Sequence, residues 1–153
     1  MKIAENMATA KGMNLPISTK ASIEICNFIR GKTTTAAKKI LEEAIAEKTA
    51  IPLKQYNDNR GHKKGIGPGF YPVKAGTEIL KLIKSVEANA SVKGLNTSQL
   101  VLKYLIPNKA SRGYHFGRQR GIKYKSTHLE VIVEEIKKVE KKAKESKKNE
   151  AKK

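Results

Sequence analysis

The sequence has little that would support a disulfide framework, a zinc site or a membrane anchor. It contains one cysteine, Cys26, which excludes an internal disulfide and the multi-cysteine zinc sites. It has no run of about 20 apolar residues to span a bilayer, and the N-terminal stretch MKIAENMATAKG lacks the apolar core of a secretory signal. We therefore expect a cytoplasmic protein without a membrane span. Cys26 lies in a helical apolar pattern and is interpreted as a buried small hydrophobe rather than a reactive thiol.

Acidic residues are absent from one long segment and nearly absent from another. Between Ala88 and Leu129 there is no Asp or Glu, and between Lys48 and Thr77 the only acid is Asp58. The whole chain carries 32 Lys and Arg against 14 Asp and Glu, a formal net charge of +18. Such an imbalance favours a polyanionic partner, nucleic acid first and an anionic membrane second. The segregation predicts a mixed-charge body with two basic, non-helical projections.

Motifs for catalysis and cofactor binding are missing as well. The chain has no GxxxxGK(S/T), no HExxH and no nucleophile elbow, and GIGPG lacks the strand and helix context of a dinucleotide site. Acid–base or metal-assisted chemistry would need paired carboxylates or a carboxylate and histidine cluster in the basic segments. We interpret His62, His115 and His128 as hydrogen-bonding or stacking residues. The sequence thus predicts a protein that is not an enzyme and uses no cofactor or metal.

Apolar residues at helical spacing predict three helices. PISTKASIEICNFIRG has an N-cap at Ser18 or Thr19 and a stop at Gly31, and TTTAAKKILEEAIAEK carries one apolar stripe opposite its charged residues. A third helix begins near Lys74 and ends at Gly94. Between the second and third helices, IPLKQYNDNRGHKKGIGPGFYP is rich in Pro and Gly and predicts a loop of about 20 residues.

Two strand-like runs follow, with a basic segment between them. LVLKYLIP and HLEVIVEE alternate as strands do, whereas the intervening SRGYHFGRQRGIKYK is far longer than a two-residue hairpin turn. If both strands continue past Pro107 and Tyr124 to a tip near Gly117, the hairpin projects about 25 Å beyond the core. Residues from about Lys2 to Met13 predict a further short strand.

The chain is long enough to form one domain with its own core. We expect that domain to span residues 1–136, with a hairpin arm at about 107–125. Residues 137–153, KKVEKKAKESKKNEAKK, have almost no apolar side chains and predict a basic tail, either a frayed helix or a disordered arm.

The chemistry of the arm fits nucleic-acid binding. Arginine and lysine neutralise phosphates, glycine lets the backbone approach closely, and Tyr114, His115 and Phe116 offer planes for unstacked bases. A floppy basic loop is the alternative, although it would need neither two flanking strands nor three adjacent rings. A DNA-bending architectural protein also uses a basic β-arm. A free RNA chaperone, or a regulator of its own message, would need no different sequence.

Several segments, in order, resemble the large-subunit ribosomal protein L-twenty-two family in its archaeal and eukaryotic form. GMNLPISTKASIEICNFIRGKTTTAAKKILEEAIAEKTAIP is similar to the family's opening, GHKKGIGPGFYPVKAGTEILKLIKSVEANASVKGL to its archaeal-type insert and third helix, and GRQRGIKYKSTHLEVIVEE to its returning hairpin strand. The resemblance implies an α+β fold of order β-α-α-α-β-β, with three helices packed on a small antiparallel sheet and a long protruding β-hairpin. It also implies a structural role in the large ribosomal subunit. The implied partners are ribosomal RNA, whose assembly the protein would support, neighbouring ribosomal proteins, and nascent peptide at the exit tunnel, which the hairpin would reach.

The tip departs from the family's pattern. Relatives usually carry Arg-Ala-x-Gly-Arg-Ala, whereas this chain has YHFGRQ from Tyr114 to Gln119, so that only Gly117 and Arg118 match. Our hypothesis is that the three aromatic rings replace the missing phosphate contact by stacking on bases.

The residues expected to contact ribosomal RNA lie in three places, near the first helix, in the long loop and in the arm, and their expected roles depend on residue type. Lysines would position the RNA by charge, arginines would pair with phosphate or stack, and the rings would stack. The expected residues are Lys11, Ser18, Lys20 and Lys32 near the first helix; Lys54, Arg60, His62, Lys63 and Lys64 in the long loop; and Lys109, Arg112, Tyr114, His115, Phe116, Gly117, Arg118, Gln119, Arg120, Lys123 and Lys125 in the arm.

Overall fold

A computed structural model describes residues 5–136 of the chain. The predicted tail at 137–153 and the start of the predicted first strand therefore lie outside the described residues. The elements are β1 (Met7–Leu15), α1 (Thr19–Ile29), α2 (Thr34–Ile45), β2 (Ile51–Pro52), β3 (His62–Lys63), β4 (Gly67–Phe70), α3 (Val73–Val92), β5 (Leu100–Lys109) and β6 (Thr127–Glu135), with short 3₁₀ turns at Thr97–Gln99 and Gly117–Gln119.

The three predicted helices are confirmed as α1, α2 and α3. Capping residues mark where α1 and α2 begin and where α3 ends. Ser18 is the N-cap residue of α1, and the Thr33 hydroxyl accepts a hydrogen bond from the Ala36 N–H at the start of α2. At the end of α3, Gly94 adopts a positive φ of 74°, and the next N–H, from Leu95, donates to the carbonyl oxygen of Ala90. The right-handed helix α3 is thus ended by a glycine in the left-handed backbone conformation, which glycine adopts without steric cost.

The main sheet has the strand order β1-β6-β5, and all its pairs are antiparallel. Val131 in the central strand lies opposite Ala10 on one side and Leu105 on the other. These three side chains are buried in the same core as Ile25 of α1 and Ile83 of α3. The α+β fold, with three helices against a small antiparallel sheet, is confirmed.

The EANA stretch of α3 ties this helix to its neighbours. Glu87 forms a 2.8 Å ion pair with Lys38 of α2, and Ala90 is fully buried. The Asn89 amide donates to the carbonyl oxygen of Thr9, 2.8 Å away. This bond satisfies an acceptor on strand β1, which is at the edge of the sheet, and therefore helps to protect that edge from pairing with another strand.

The segment expected to be a single loop of about 20 residues contains a second small sheet, so that expectation is wrong. The strand order is β2-β4-β3, with Ile51 opposite Phe70 and His62 opposite Pro68. Proline and glycine carry no alternating apolar signal. Pro52 lies in the edge strand β2, where proline is tolerated, whereas Pro68 lies in the central strand β4 and takes part through its carbonyl oxygen, which accepts the Leu53 N–H at 2.9 Å. The observed order therefore has three short strands inserted between α2 and α3.

The structure also bears on the predictions about the single cysteine and about membrane-spanning segments. Cys26 is fully buried in the core, and burial raises the pKa of its thiol to about 12, so its interpretation as a buried hydrophobe is confirmed. Among residues 5–136, no helix is long and apolar enough to cross a membrane.

Candidate nucleic-acid interface

The two sides of the arm pair as regular strands over a shorter length than the sequence indicated. Regular pairing of β5 with β6 ends at Lys109 and Thr127, so β6 begins only after Tyr124. Beyond that point single backbone bonds hold the two sides together: the Tyr124 N–H donates to the Gly113 carbonyl oxygen, and the His115 N–H to that of Ile122, both at 2.9 Å. The regular strands therefore do not continue to the tip, although the two sides of the arm remain adjacent.

A short 3₁₀ turn forms the tip of the arm. Gly117 begins this turn with a φ of +66°, a conformation that side-chain-bearing residues rarely adopt. Its carbonyl oxygen accepts a hydrogen bond from the Arg120 N–H. Arg118 and Gln119 lie within the turn and are exposed.

The three adjacent rings of the arm do not form one stacking platform. The His115 ring lies 3.9 Å from the ring of Tyr124, centroid to centroid, at an interplanar angle of 37°. The Lys123 ammonium lies 4.8 Å from the centre of the Tyr114 ring. Phe116, in contrast, is 87% exposed. Of the predicted trio, Phe116 is thus the ring most accessible to a base.

The cations of the arm and the long loop have no carboxylate partners in the part of the chain that the structure describes. The four ion pairs within residues 5–136 join Lys11 to Glu130, Lys38 to Glu87, Lys81 to Glu78, and Lys103 to Glu134. Among the residues predicted to bind RNA, only Lys11 is ion-paired there. The Lys11 ammonium lies 3.0 Å from the carboxylate of Glu130 on the neighbouring strand, so its charge is partly neutralised within the sheet.

Cations near the loop and the first helix lie over aromatic rings instead. Such contacts hold a side chain in place while leaving its full charge available to an anion. The pairs, with distances from the charged group to the ring centre, are Lys20 with Tyr56 at 5.4 Å, Lys32 with Phe28 at 5.2 Å, Arg60 with Phe70 at 5.7 Å, and Lys63 with Tyr71 at 5.1 Å.

A buried carboxylate fixes the start of the long loop. Glu24 of α1 is only 2% exposed, and its oxygens accept the backbone N–H groups of Lys54, Gln55 and Tyr56 at 3.1, 2.7 and 2.6 Å. Burial alone would raise the pKa of this carboxyl, but the three N–H groups and the nearby Lys54 charge outweigh it, so the pKa lies below its usual value. Residues Lys54 to Tyr56 are thereby anchored to the body.

Sequence reasoning missed Glu24, although a signal was present. The helical spacing of Ala21, Ile25, Phe28 and Ile29 predicts one apolar face on the first helix, and Glu24, three residues after Ala21 and four before Phe28, lies on that face. An acid on such a face needs hydrogen-bond donors that the helix itself does not provide. The loop backbone supplies them.

Part of the predicted set converges on one groove between the start of α1 and the base of the arm. The groove has a volume of about 640 Å³. A smaller pocket of about 220 Å³ adjoins it and shares Ser18, Lys20, Tyr56 and Lys125 with it. The residues that only the smaller pocket has are Ala21, Leu53, Asp58, Arg60 and Phe70. The predicted residues that line the larger groove are Ser18, Lys20, Lys109, Arg112 and Lys125.

Other predicted residues lie elsewhere. His62 and Lys63 form the short strand β3, Lys64 follows it, and all three are exposed. Lys32 lines a different pocket, together with Glu24 and Lys54. The predicted residues therefore form several separate basic surfaces.

Two histidines have the kinds of role expected from the sequence. His128 accepts a hydrogen bond at Nδ1 from the Asn14 N–H, 3.1 Å away, and His115 stacks as described above. No group of three or more His, Cys, Asp or Glu that could hold a metal ion occurs among residues 5–136.

Residues 10–134 match the protein family described as "Ribosomal protein L22p/L17e". The protein named "Large ribosomal subunit protein uL22" from Methanococcoides burtonii is 38% identical over 139 residues, which cover 87% of this chain and 92% of that protein. Its namesake from Thermoplasma volcanium is 40% identical over 141 residues, 88% and 95% of the two chains. That from Methanocaldococcus jannaschii is 40% identical over 139 residues, 86% and 89%. The similarity thus extends over the body, the loop and the arm.

Proposed function

The chain belongs to the ribosomal protein L22p/L17e family and is a structural, non-enzymatic component of the ribosome, and we propose that it binds ribosomal RNA of the large subunit through its loop and arm. The relatives are named as proteins of the large ribosomal subunit, which is a cytoplasmic particle. Within the subunit the protein supports assembly, because a chain that contacts separate RNA segments holds them together. Neighbouring ribosomal proteins are its other expected partners.

The observation that carries the proposal is the separation of paired from unpaired cations. Within residues 5–136 the ion pairs lie on the helices and the sheet, and no cation of the loop or the arm takes part in one. Arg60 and Lys123 lie over rings instead, and Arg120 Nε donates to the Gly117 carbonyl oxygen at 3.5 Å. Unpaired cations can neutralise phosphates and release counterions without first losing an internal partner. Phosphate contacts of this kind position a protein on RNA, and base contacts then specify the site.

We further propose that the arm reaches the wall of the nascent-peptide exit tunnel. A segment that lies between RNA helices must be narrow and free of acids. Residues 110–126 contain no Asp or Glu, and backbone hydrogen bonds hold the two sides of the arm next to each other. The exposed Phe116 ring at the tip is then the group placed to stack on an unpaired base or to meet the nascent peptide.

The DNA-bending alternative is not retained, because family membership accounts for the same basic arm. A role as a free RNA chaperone or message regulator is compatible with the ribosomal role. It would require binding to short RNAs outside assembled subunits.

Sedimentation of the tagged protein from lysate tests RNA binding. In a sucrose gradient at moderately high salt, we expect the protein to comigrate with the large subunit and to be released by ribonuclease. Sedimentation with DNA, or as free protein with scattered small RNAs, would contradict the proposal.

Site-specific photo-crosslinking tests the position of the arm. A photoreactive amino acid in place of Phe116 should crosslink to ribosomal RNA of the tunnel wall or to nascent peptide in stalled ribosomes. The same group in place of Lys84, exposed on α3, is the control and should give neither product. Crosslinks from position 116 to surface RNA alone would overturn the tunnel assignment.

A further inference from the structure

The groove at the base of the arm combines positive charge with an apolar interior. Four cations line it: Lys20 from α1, Lys109 from β5, and Arg112 and Lys125 from the two sides of the arm. No Asp or Glu is among the residues that line it. Any ligand of this groove should therefore be an anion.

The remaining walls indicate what else the ligand must offer. The same groove is lined by apolar and aromatic residues, namely Ile17, Ile23, Tyr56 and Pro107. Its volume of about 640 Å³ lies within the range of about 300–1,000 Å³ typical of small-molecule pockets. A free phosphate would leave these apolar walls in contact with water. A ligand with a phosphate at one end and a flat, apolar body at the other would satisfy both parts of the groove.

Tyr56 is held in place before any ligand arrives. Its N–H donates to the buried Glu24 carboxylate at 2.6 Å, and the Lys20 ammonium lies 5.4 Å from its ring centre. Tyr56 also lines the adjoining pocket, which contains Arg60, Phe70 and one acid, Asp58. A ring positioned in this way can accept a stacked base without a large loss of conformational entropy.

We propose that this groove binds one unstacked nucleotide of ribosomal RNA, with its base against Tyr56 and its phosphate among Lys20, Arg112 and Lys125. The inference rests on the proposed RNA-binding function and specifies it. A base inside a duplex is already stacked and cannot present its face to Tyr56, so the groove selects bulged, looped or single-stranded nucleotides. An acidic peptide would supply charge but no flat body for the ring.

The test compares a single-stranded RNA ten-mer with the same ten-mer made abasic at its central positions. All proteins are full-length and carry Ala in place of Tyr114 and Phe116, so that the tip rings do not contribute. We expect the intact RNA to bind about 10-fold more tightly than the abasic one, as stacking on a single ring predicts. A further Tyr56→Ala change should bring this ratio close to one, whereas Tyr56→Phe should preserve it.

A charge variant separates phosphate binding from stacking. Lys125→Gln should weaken both RNAs by a similar factor and leave their ratio unchanged, because it removes only a phosphate contact. Lys84→Gln, on the exposed surface of α3, should change neither affinity. Circular dichroism melting of each variant checks that the fold is retained.

The outcomes distinguish this inference from the proposed function. If the protein cosediments with the large subunit but binds intact and abasic RNA equally, or if duplex RNA or polyglutamate competes as well as single-stranded RNA, only the groove assignment is overturned. A ratio that survives Tyr56→Ala overturns it too. If ribonuclease-sensitive cosedimentation itself is absent, the proposed function fails first.

Discussion

The body, formed by the three helices and the main sheet, and the two basic projections, the long loop and the arm, differ in what their cations contact. On the body, Lys38 and Lys103 each lie 2.8 Å from a glutamate on a neighbouring element, and the hydrogen bond that Lys103 donates to Glu134 raises the pKa of Lys103. On the projections, Arg60 and Lys123 lie over rings and have no carboxylate partner within residues 5–136. An ion pair joins two elements of the body, whereas a cation over a ring keeps its charge available. The charges of the body thus stabilise the fold, whereas those of the loop and the arm have the distribution that the proposed binding to RNA requires.

The largest expected effect comes from removing the charges of the arm. Replacing Arg112, Arg118, Arg120, Lys123 and Lys125 together by Gln should weaken binding to ribosomal RNA by about 10³-fold at about 0.1 M salt and reduce the salt dependence by about four ions. Stability should change by less than about 0.5 kcal/mol, since these exposed side chains form no ion pair with any of residues 5–136. Filter binding across a salt series and urea unfolding provide the two measurements.

The matched control removes exposed lysines from the body. Lys39→Gln and Lys84→Gln, on α2 and α3, should leave RNA affinity nearly unchanged. If this pair costs as much affinity per charge as the arm variant, the distinction between body and projections is wrong.

A core substitution should have the reverse effect. Ile83 is fully buried, and Ile83→Ala should lower the free energy of unfolding by about 2–5 kcal/mol, through lost burial and the cavity left behind. The RNA affinity of the protein that remains folded should be unchanged. Lys84→Ala, one residue further along α3, is the stability control and should change it by about 0.5 kcal/mol or less. A selective loss of affinity in the folded Ile83→Ala protein would count against the comparison.

Glu24 is where the body holds a projection, so its replacement should affect both. Glu24→Gln should cost about 1–3 kcal/mol of stability, because the charge is lost and a glutamine keeps only one of the two acceptor oxygens, so its NH2 group faces at least one of the three loop N–H donors. The pKa of Glu24 in the folded protein lies below its ordinary value, so the stabilisation by the carboxylate is fully present above that ordinary pKa and is lost as the pH falls through the lower, folded pKa. Thermal unfolding between neutral and acidic pH should therefore show a smaller acid-induced loss for Glu24→Gln than for the wild type. Glu42→Gln, exposed on α2, should retain the wild-type pH dependence.

The smallest effect is expected at the edge of the sheet. Asn89→Ala removes the donor to the Thr9 carbonyl oxygen and should cost about 0.5–1.5 kcal/mol. Hydrogen exchange should become faster in β1 before it does in β5. Ser85→Ala, exposed one turn earlier on α3, is the control. Equal protection of β1 in both variants would show that the Asn89 contact does not hold the edge.

The regular elements could be predicted from sequence because their patterns are local. The stripe of α2 and the alternation of Leu129, Val131 and Val133 each identify an element and its buried face. The second sheet could not be predicted, because strands of two to four residues such as His62–Lys63 and Gly67–Phe70 form through backbone hydrogen bonds to partners that periodicity does not reveal.

The candidate site was predictable in composition but not in arrangement. The cations of loop and arm were identified by charge alone, yet nothing in the sequence indicates that His115 packs against Tyr124 while Phe116 remains exposed. The convergence of Lys20, Tyr56 and Lys125 on one groove depends on tertiary contacts. Those contacts include the anchoring of Tyr56 by Glu24.

The single buried thiol gives the chain an internal reporter of its own opening. Because Cys26 is fully buried and burial raises the pKa of its thiol to about 12, a thiol reagent can react with it only while the core is open. The labelling rate therefore follows openings of the body and is insensitive to motion of the arm. Slower labelling upon addition of RNA would mean that the partner stabilises the whole fold; an unchanged rate would mean that RNA orders the projections on a body that is already complete.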